Sequence, residues 1–238
     1  MQVFHRSSNT IARASIAGGI ALLAFLAWIF SILMSSSYVT GQEAILHQPV
    51  PFSHEHHVAG LGIDCRYCHN TVEVSGFAGM PASETCMNCH KQIWTNAELL
   101  EPVRSSFANN VPIRWQRVHD LPDFVYFNHS VHVAKGIGCA SCHGEVDHMP
   151  LMYQKNTLQM EWCLDCHRNP GKNVRPKQEV FNLNWNGDDP RSAAKYLWPD
   201  KAGDPSWTPP EDAPHTLRAK LVKDYRIQSL TSCSTCHR

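Results

Sequence analysis

The sequence predicts short α-helices joined by long irregular segments, headed by one apolar helix of membrane-spanning length. Three observations predict this. Fifteen prolines and thirteen glycines are scattered over 238 residues, and no run alternates apolar and polar residues like a half-buried strand. One long apolar run lies near the N-terminus. All ten cysteines fall into five C-x-x-C-H units, which organise a chain too polar for an ordinary core.

The apolar run, Ala14 to Met34, contains no charged residue. As a helix it would span roughly 30 Å, the thickness of a bilayer core. Arg6 and Arg13 precede it and the next charge, Glu43, is acidic. The positive-inside rule then puts residues 1–13 in the cytoplasm, 14–34 across the membrane and the rest outside. A cleaved secretory signal is the competing reading, and small residues do follow in SILMSSSYVTG. Its apolar core would normally be shorter, so an uncleaved anchor is expected.

The five units are CRYCH (Cys65, Cys68, His69), CMNCH (Cys86, Cys89, His90), CASCH (Cys139, Cys142, His143), CLDCH (Cys163, Cys166, His167) and CSTCH (Cys233, Cys236, His237). Composition alone predicts about 0.03 such units by chance, and this is the attachment motif of c-type haem. Two cysteines one helical turn apart can form thioethers to two vinyl groups while the next imidazole reaches the iron. Disulfides would explain ten cysteines outside the cytoplasm but not the histidine after each pair. Structural zinc would need the pairs to combine two by two, leaving one over. Five covalently bound haems c are therefore expected, with His69, His90, His143, His167 and His237 as proximal ligands and the chain wrapped around them.

After a linker, residues 35–48, the chain repeats itself. FSHEHHVAGLGIDCRYCH from Phe52 aligns with FNHSVHVAKGIGCASCH from Phe127, with one residue inserted in the first copy. Each copy precedes a second C-x-x-C-H, giving two di-haem units, 49–115 and 116–175. Residues 176–238 form a Pro-, Asp- and Trp-rich extension that is expected to wrap rather than build its own core. Within it, Leu217, Leu221 and Tyr225 predict a helix from about Thr216 to Ser229 that delivers the fifth motif.

The sixth coordination position separates electron transfer from catalysis, because a second strong ligand excludes substrate. Each F-x-H-x-x-H pair places two imidazoles one turn apart, a spacing suited to serving two irons. The distal candidates are thus His54, His57, His129 and His132, the first of each pair being expected to serve the haem just downstream. His119 is the favoured fifth donor and His148 the reserve. Met80, Met149, Met152 and Met160 lie between paired motifs and compete as thioether ligands.

The equal counts of acidic and basic residues, 21 each, offer no footprint for nucleic acid. No H-E-x-x-H, P-loop or Gly-rich dinucleotide turn is present, and no cysteine is left over as a nucleophile. No catalytic residue is expected.

The F-x-H-x-x-H repeats with paired C-x-x-C-H motifs resemble the class III multihaem cytochromes c. Together with the N-terminal anchor, the five motifs, RWQRVHDLPDFVYFNHSVH and MEWCLDCHRNP, the chain resembles the membrane-anchored pentahaem subunit of bacterial alternative complex III. That resemblance implies an electron-transfer subunit, not itself an enzyme, in a quinol-oxidising complex of the bacterial inner membrane. The haem domain would face the periplasm. The implied partners are a multi-helix quinol-binding subunit, an iron–sulfur subunit and a monohaem cytochrome c or terminal oxidase. The alternative is a membrane-anchored multihaem quinol dehydrogenase feeding a periplasmic reductase.

Overall fold

The computed structural model describes residues 3–237 and divides into two units, one up to Gln42 and one from Glu43 onward. The first unit holds the apolar helix Ser8–Ser35 and a turn, Ser37–Thr40, closed by Gly41 at φ 68°. The long helix starts six residues before the apolar run, because Ser8 to Arg13 offers no proline or glycine to stop helix propagation. It is long and apolar enough to cross a membrane, and none of its residues is buried.

The second unit is helical and irregular. Among the described residues it has no β-strand, only isolated bridges joining Ile45 to Tyr153 and Ile137 to Val174. Only twelve apolar side chains are buried among the described residues, too few to order a unit of this size by aliphatic packing alone.

The two sequence repeats fold alike. In the first, residues Glu55–Gly60 form a π-helical turn after His54; in the second, His129–Ala134 is α-helical. The inserted residue of the first copy explains the difference, since a π turn accommodates one more residue than an α turn. In both copies the downstream isoleucine N–H still reaches the carbonyl of the second histidine: Ile63 to His57 at 3.1 Å and Ile137 to His132 at 3.0 Å. The glycine before each isoleucine takes a left-handed conformation, Gly62 at φ 68° and Gly136 at φ 76°. At Gly136 a Cβ would come within 2.5 Å of the Arg175 carbonyl oxygen, so this position also needs glycine for space.

The C-terminal extension departs from expectation. Rather than wrapping, it supplies most of the main aliphatic core: Ala193, Ala213, Leu217 and Leu221 pack with Val174 from the preceding segment, flanked by Trp185, Tyr196, Trp198 and Tyr225. Two helices, Pro190–Leu197 and Ala213–Asp224, pack on each other there. The physical reason is where its prolines fall. Pro190 and Pro214 sit in first turns, where the missing N–H costs nothing, so they start helices instead of breaking them. Asp189 caps the first helix by accepting from the Arg191 and Ser192 N–H groups.

The predicted helix over 216–229 is thus Ala213–Asp224, with Leu217 and Leu221 buried as the spacing requires. It ends early because Arg226 turns left-handed at φ 51°, letting the Ile227 N–H reach back to the Val222 carbonyl in a Schellman-type stop. Leu217 is 1% exposed at the centre of this cluster. Leu217→Ala is expected to lower the unfolding free energy of the second unit by about 2–4 kcal/mol, measured by denaturant titration of the holoprotein.

Candidate haem sites

Each C-x-x-C-H motif lies on or beside a short helix: Cys65–Cys68, Ser83–His90, Ala140–His143, Met160–Arg168 and Cys233–Cys236. The first turn is capped by Asp64, whose carboxylate accepts the Arg66 N–H. In motifs 65–69, 139–143 and 233–237 the histidine N–H bonds the carbonyl of the first cysteine at 2.8–2.9 Å. One turn therefore presents both sulfurs and the imidazole together.

No disulfide joins any two of the ten cysteines, and among the described residues no three His, Cys, Asp or Glu side chains converge on a bare metal position. Burial pushes the thiols of Cys139 and Cys142 up to about 11 and about 12, which argues against either acting as a thiolate nucleophile.

Four of the five motif histidines are oriented by backbone carbonyls. Nδ1 of His69 donates to Gly79 at 2.7 Å, of His90 to Ile93 at 3.2 Å, of His167 to Leu230 at 2.8 Å and of His237 to Phe124 at 3.0 Å. A proton held on Nδ1 leaves Nε2 as the lone-pair donor, the usual arrangement of a metal-binding imidazole.

Three histidines of the repeats are built the same way. Nδ1 of His57 donates to Ser53 at 2.8 Å, of His129 to Gly76 at 2.9 Å and of His132 to Asn128 at 2.7 Å. The repeat phenylalanine fixes the pair in nearly identical geometry. Phe52 lies edge-on to His54 at 4.9 Å and stacks on His57 at 4.4 Å; Phe127 lies edge-on to His129 at 4.7 Å and stacks on His132 at 4.5 Å. This role of Phe52 and Phe127 was visible only as the F of the shared pattern, with no chemistry attached to it.

Ring separations bring these histidines opposite motif histidines. His57 and His90 are 6.3 Å apart between centroids, His129 and His143 6.2 Å, and His132 and His167 6.2 Å. Two metal–nitrogen bonds of about 2 Å, plus about 1.1 Å from each nitrogen to its ring centre, would put two imidazoles sharing one metal about 6.2 Å apart. The three separations therefore fit an iron between each pair.

The remaining candidates differ. His54 has a buried Nδ1 without a hydrogen-bond partner. Its pKa is lowered to about 4, chiefly by burial and then by the neighbouring His69 and His57. His119 has a buried, unpartnered Nε2, and its ring is 4.3 Å from that of His143, too close for a pair across one iron. Burial, then His129, lowers it to about 4. His143 is lowered to about 3 by burial and by the surrounding histidines, His119 first. Burial lowers His57 and His132 too. These imidazoles are neutral at pH 7, as metal ligation requires.

His148 is exposed and lines a cleft with Val58, Phe181 and Leu183, with no motif histidine in its lining. Met149 is buried, its methyl 3.5 Å from where a Cβ on Gly144 would lie, while Met80 and Met160 are half or more exposed.

The family model for cytochrome c7 and related cytochromes c matches residues 50–101 and 125–184, one segment for each repeat. Over both repeats the chain is thus similar to multihaem cytochromes c. Its sequence is also similar to the multihaem cytochrome c subunit of a menaquinone reductase from Nitratidesulfovibrio vulgaris, 28% identical over 173 residues covering 64% of this chain and 79% of that one. The matched segments contain four of the five C-x-x-C-H motifs, and the segment 185–238 carrying the fifth lies beyond them.

Proposed function

We propose that this chain is the pentahaem electron-transfer subunit of a membrane quinol:acceptor oxidoreductase of the alternative complex III type, with its second unit on the periplasmic side. The observation that carries the reading is the set of histidine pairs at 6.2–6.3 Å, each joining a motif histidine to a histidine from a repeat. Iron held between two imidazoles carries single electrons and offers no position to a substrate. In this reading the cysteines 65 and 68, 86 and 89, 139 and 142, 163 and 166, and 233 and 236 attach five haems. His57 serves the motif of His90, His129 that of His143 and His132 that of His167. His54, beside His69, serves the first motif; His119 lies against His143, so motif 233–237 has no assigned donor.

The chain's own residues then set spacing, solvent exclusion and ligand orientation, and none of them does acid–base chemistry. Between Ala14 and Met34 the apolar helix carries no ionisable group with which to take protons from a quinol. Quinone chemistry accordingly belongs to a partner subunit. The domain division into two di-haem units and an extension follows the same repeats.

The similarity to a menaquinone reductase subunit favours a second reading, in which the same cytochrome serves reduction of a quinone rather than oxidation of a quinol. Purification in mild detergent tests both. Recovery with a multi-helix subunit, an iron–sulfur subunit and a monohaem cytochrome, and reduction of the cytochrome by a quinol analogue, is the expected result. Oxidation of the pre-reduced complex by a quinone analogue, with no quinol-driven reduction, would select the second reading. A solitary chain that oxidises quinol would select the membrane-anchored quinol dehydrogenase.

A further inference from the structure

The five motifs are not arranged in sequence order, and their contacts give the order they do have. Motif 86–90 meets motif 65–69 through Asn88, whose side-chain amide donates to the Tyr67 hydroxyl at 3.0 Å. The same two motifs share one donor turn, since His54 and His57 both rest on Phe52 while His57 faces His90.

Motif 65–69 meets motif 139–143 through the loop that follows it. That loop holds His69 at the Gly79 carbonyl and also holds His129 at the Gly76 carbonyl, while the Ser130 N–H bonds Ser75 at 3.1 Å. His129 in turn faces His143. Motif 139–143 meets motif 163–167 because His129 and His132 rest on Phe127 and face His143 and His167. Motif 163–167 meets motif 233–237 at Leu230, three residues before Cys233, whose carbonyl accepts the His167 Nδ1–H.

Solvent exposure follows the same sequence independently. Cys89 and Cys233 are exposed, and the other eight cysteines are half-buried. The two exposed cysteines belong to the motifs at opposite ends of the contact series.

We propose that the five attachment motifs form one unbranched line in the order 86–90, 65–69, 139–143, 163–167, 233–237, so that the second and fifth motifs of the sequence are the two ends at which redox partners exchange electrons with this chain. The inference rests on the pentahaem reading above. It means that the fifth motif, carried by the extension, lengthens the line at one end, and that the first repeat runs backward relative to the chain. Ile93 and Trp94 at one end and Leu230 and Phe124 at the other are exposed apolar side chains beside the terminal motifs.

Proton Overhauser spectroscopy of the fully reduced, full-length holoprotein in detergent micelles tests the order. Each haem is identified by cross-peaks to side chains of its own motif. Inter-haem methyl contacts are expected for four pairs only: 86–90 with 65–69, 65–69 with 139–143, 139–143 with 163–167, and 163–167 with 233–237. Five haem signal sets with a contact between 86–90 and any later motif, or between 233–237 and any motif but 163–167, would overturn the order alone. Fewer than five signal sets would overturn the pentahaem reading and the order with it.

Discussion

His132→Leu is expected to leave all five haems attached and to open the sixth position of one of them, the haem held by Cys163 and Cys166. The reason is the 6.2 Å separation that sets His132 opposite His167, although its sequence neighbour is the CASCH motif. Leucine keeps the half-buried volume on Phe127 but has no lone pair. In the reduced protein about one-fifth of the haem should become five-coordinate and bind carbon monoxide, read from the absorption spectrum and by the stoichiometry of the proposed five. In a Cys163→Ala, Cys166→Ala background the same substitution should create no carbon monoxide site. A signal that persists there, or is lost instead when Cys139 and Cys142 are replaced, would reassign His132 to the haem of its own repeat.

The second large effect separates the middle of the molecule from its edge. Cys139→Ala with Cys142→Ala removes an attachment point surrounded by His54, His69, His119 and His129, all of which act on His143. Buried aliphatic packing is sparse there, since the main cluster lies mostly in the extension. The variant is expected to lose at least about tenfold in mature holoprotein, because ordering so polar a segment requires the apolar surface the haem supplies. Cys233→Ala with Cys236→Ala removes a motif with an exposed cysteine, outside the central histidine cluster, and should accumulate near normally with four haems. Haem-stained gels compared with immunoblots of total chain distinguish the two. Equal loss in both variants would mean that depth in the fold does not govern their contribution.

The C-x-x-C-H motifs and the F-x-H-x-x-H repeat were legible in the sequence because both are fixed local spacings. Two histidines one turn apart were expected to face two different motifs, and the structure sets His129 opposite His143 and His132 opposite His167. Three things were not legible. The extension read as a wrapping segment because Pro190 and Pro214 look like breakers until their place in a first turn is known. The spatial order of the motifs depends on contacts such as Asn88 with Tyr67 and His167 with Leu230, which no periodicity encodes. The position of His119 against His143 depends on how the segment before the second repeat folds back, and a lone histidine carries no spacing signal of its own.

The intact mass of the chain purified from membranes tests the pentahaem account most directly. Thioether attachment survives denaturation, so every haem bound at a C-x-x-C-H motif stays with the polypeptide. The account predicts a single species carrying five haems. A uniform species carrying four or fewer, or ten titratable free thiols on the mature chain, would contradict it.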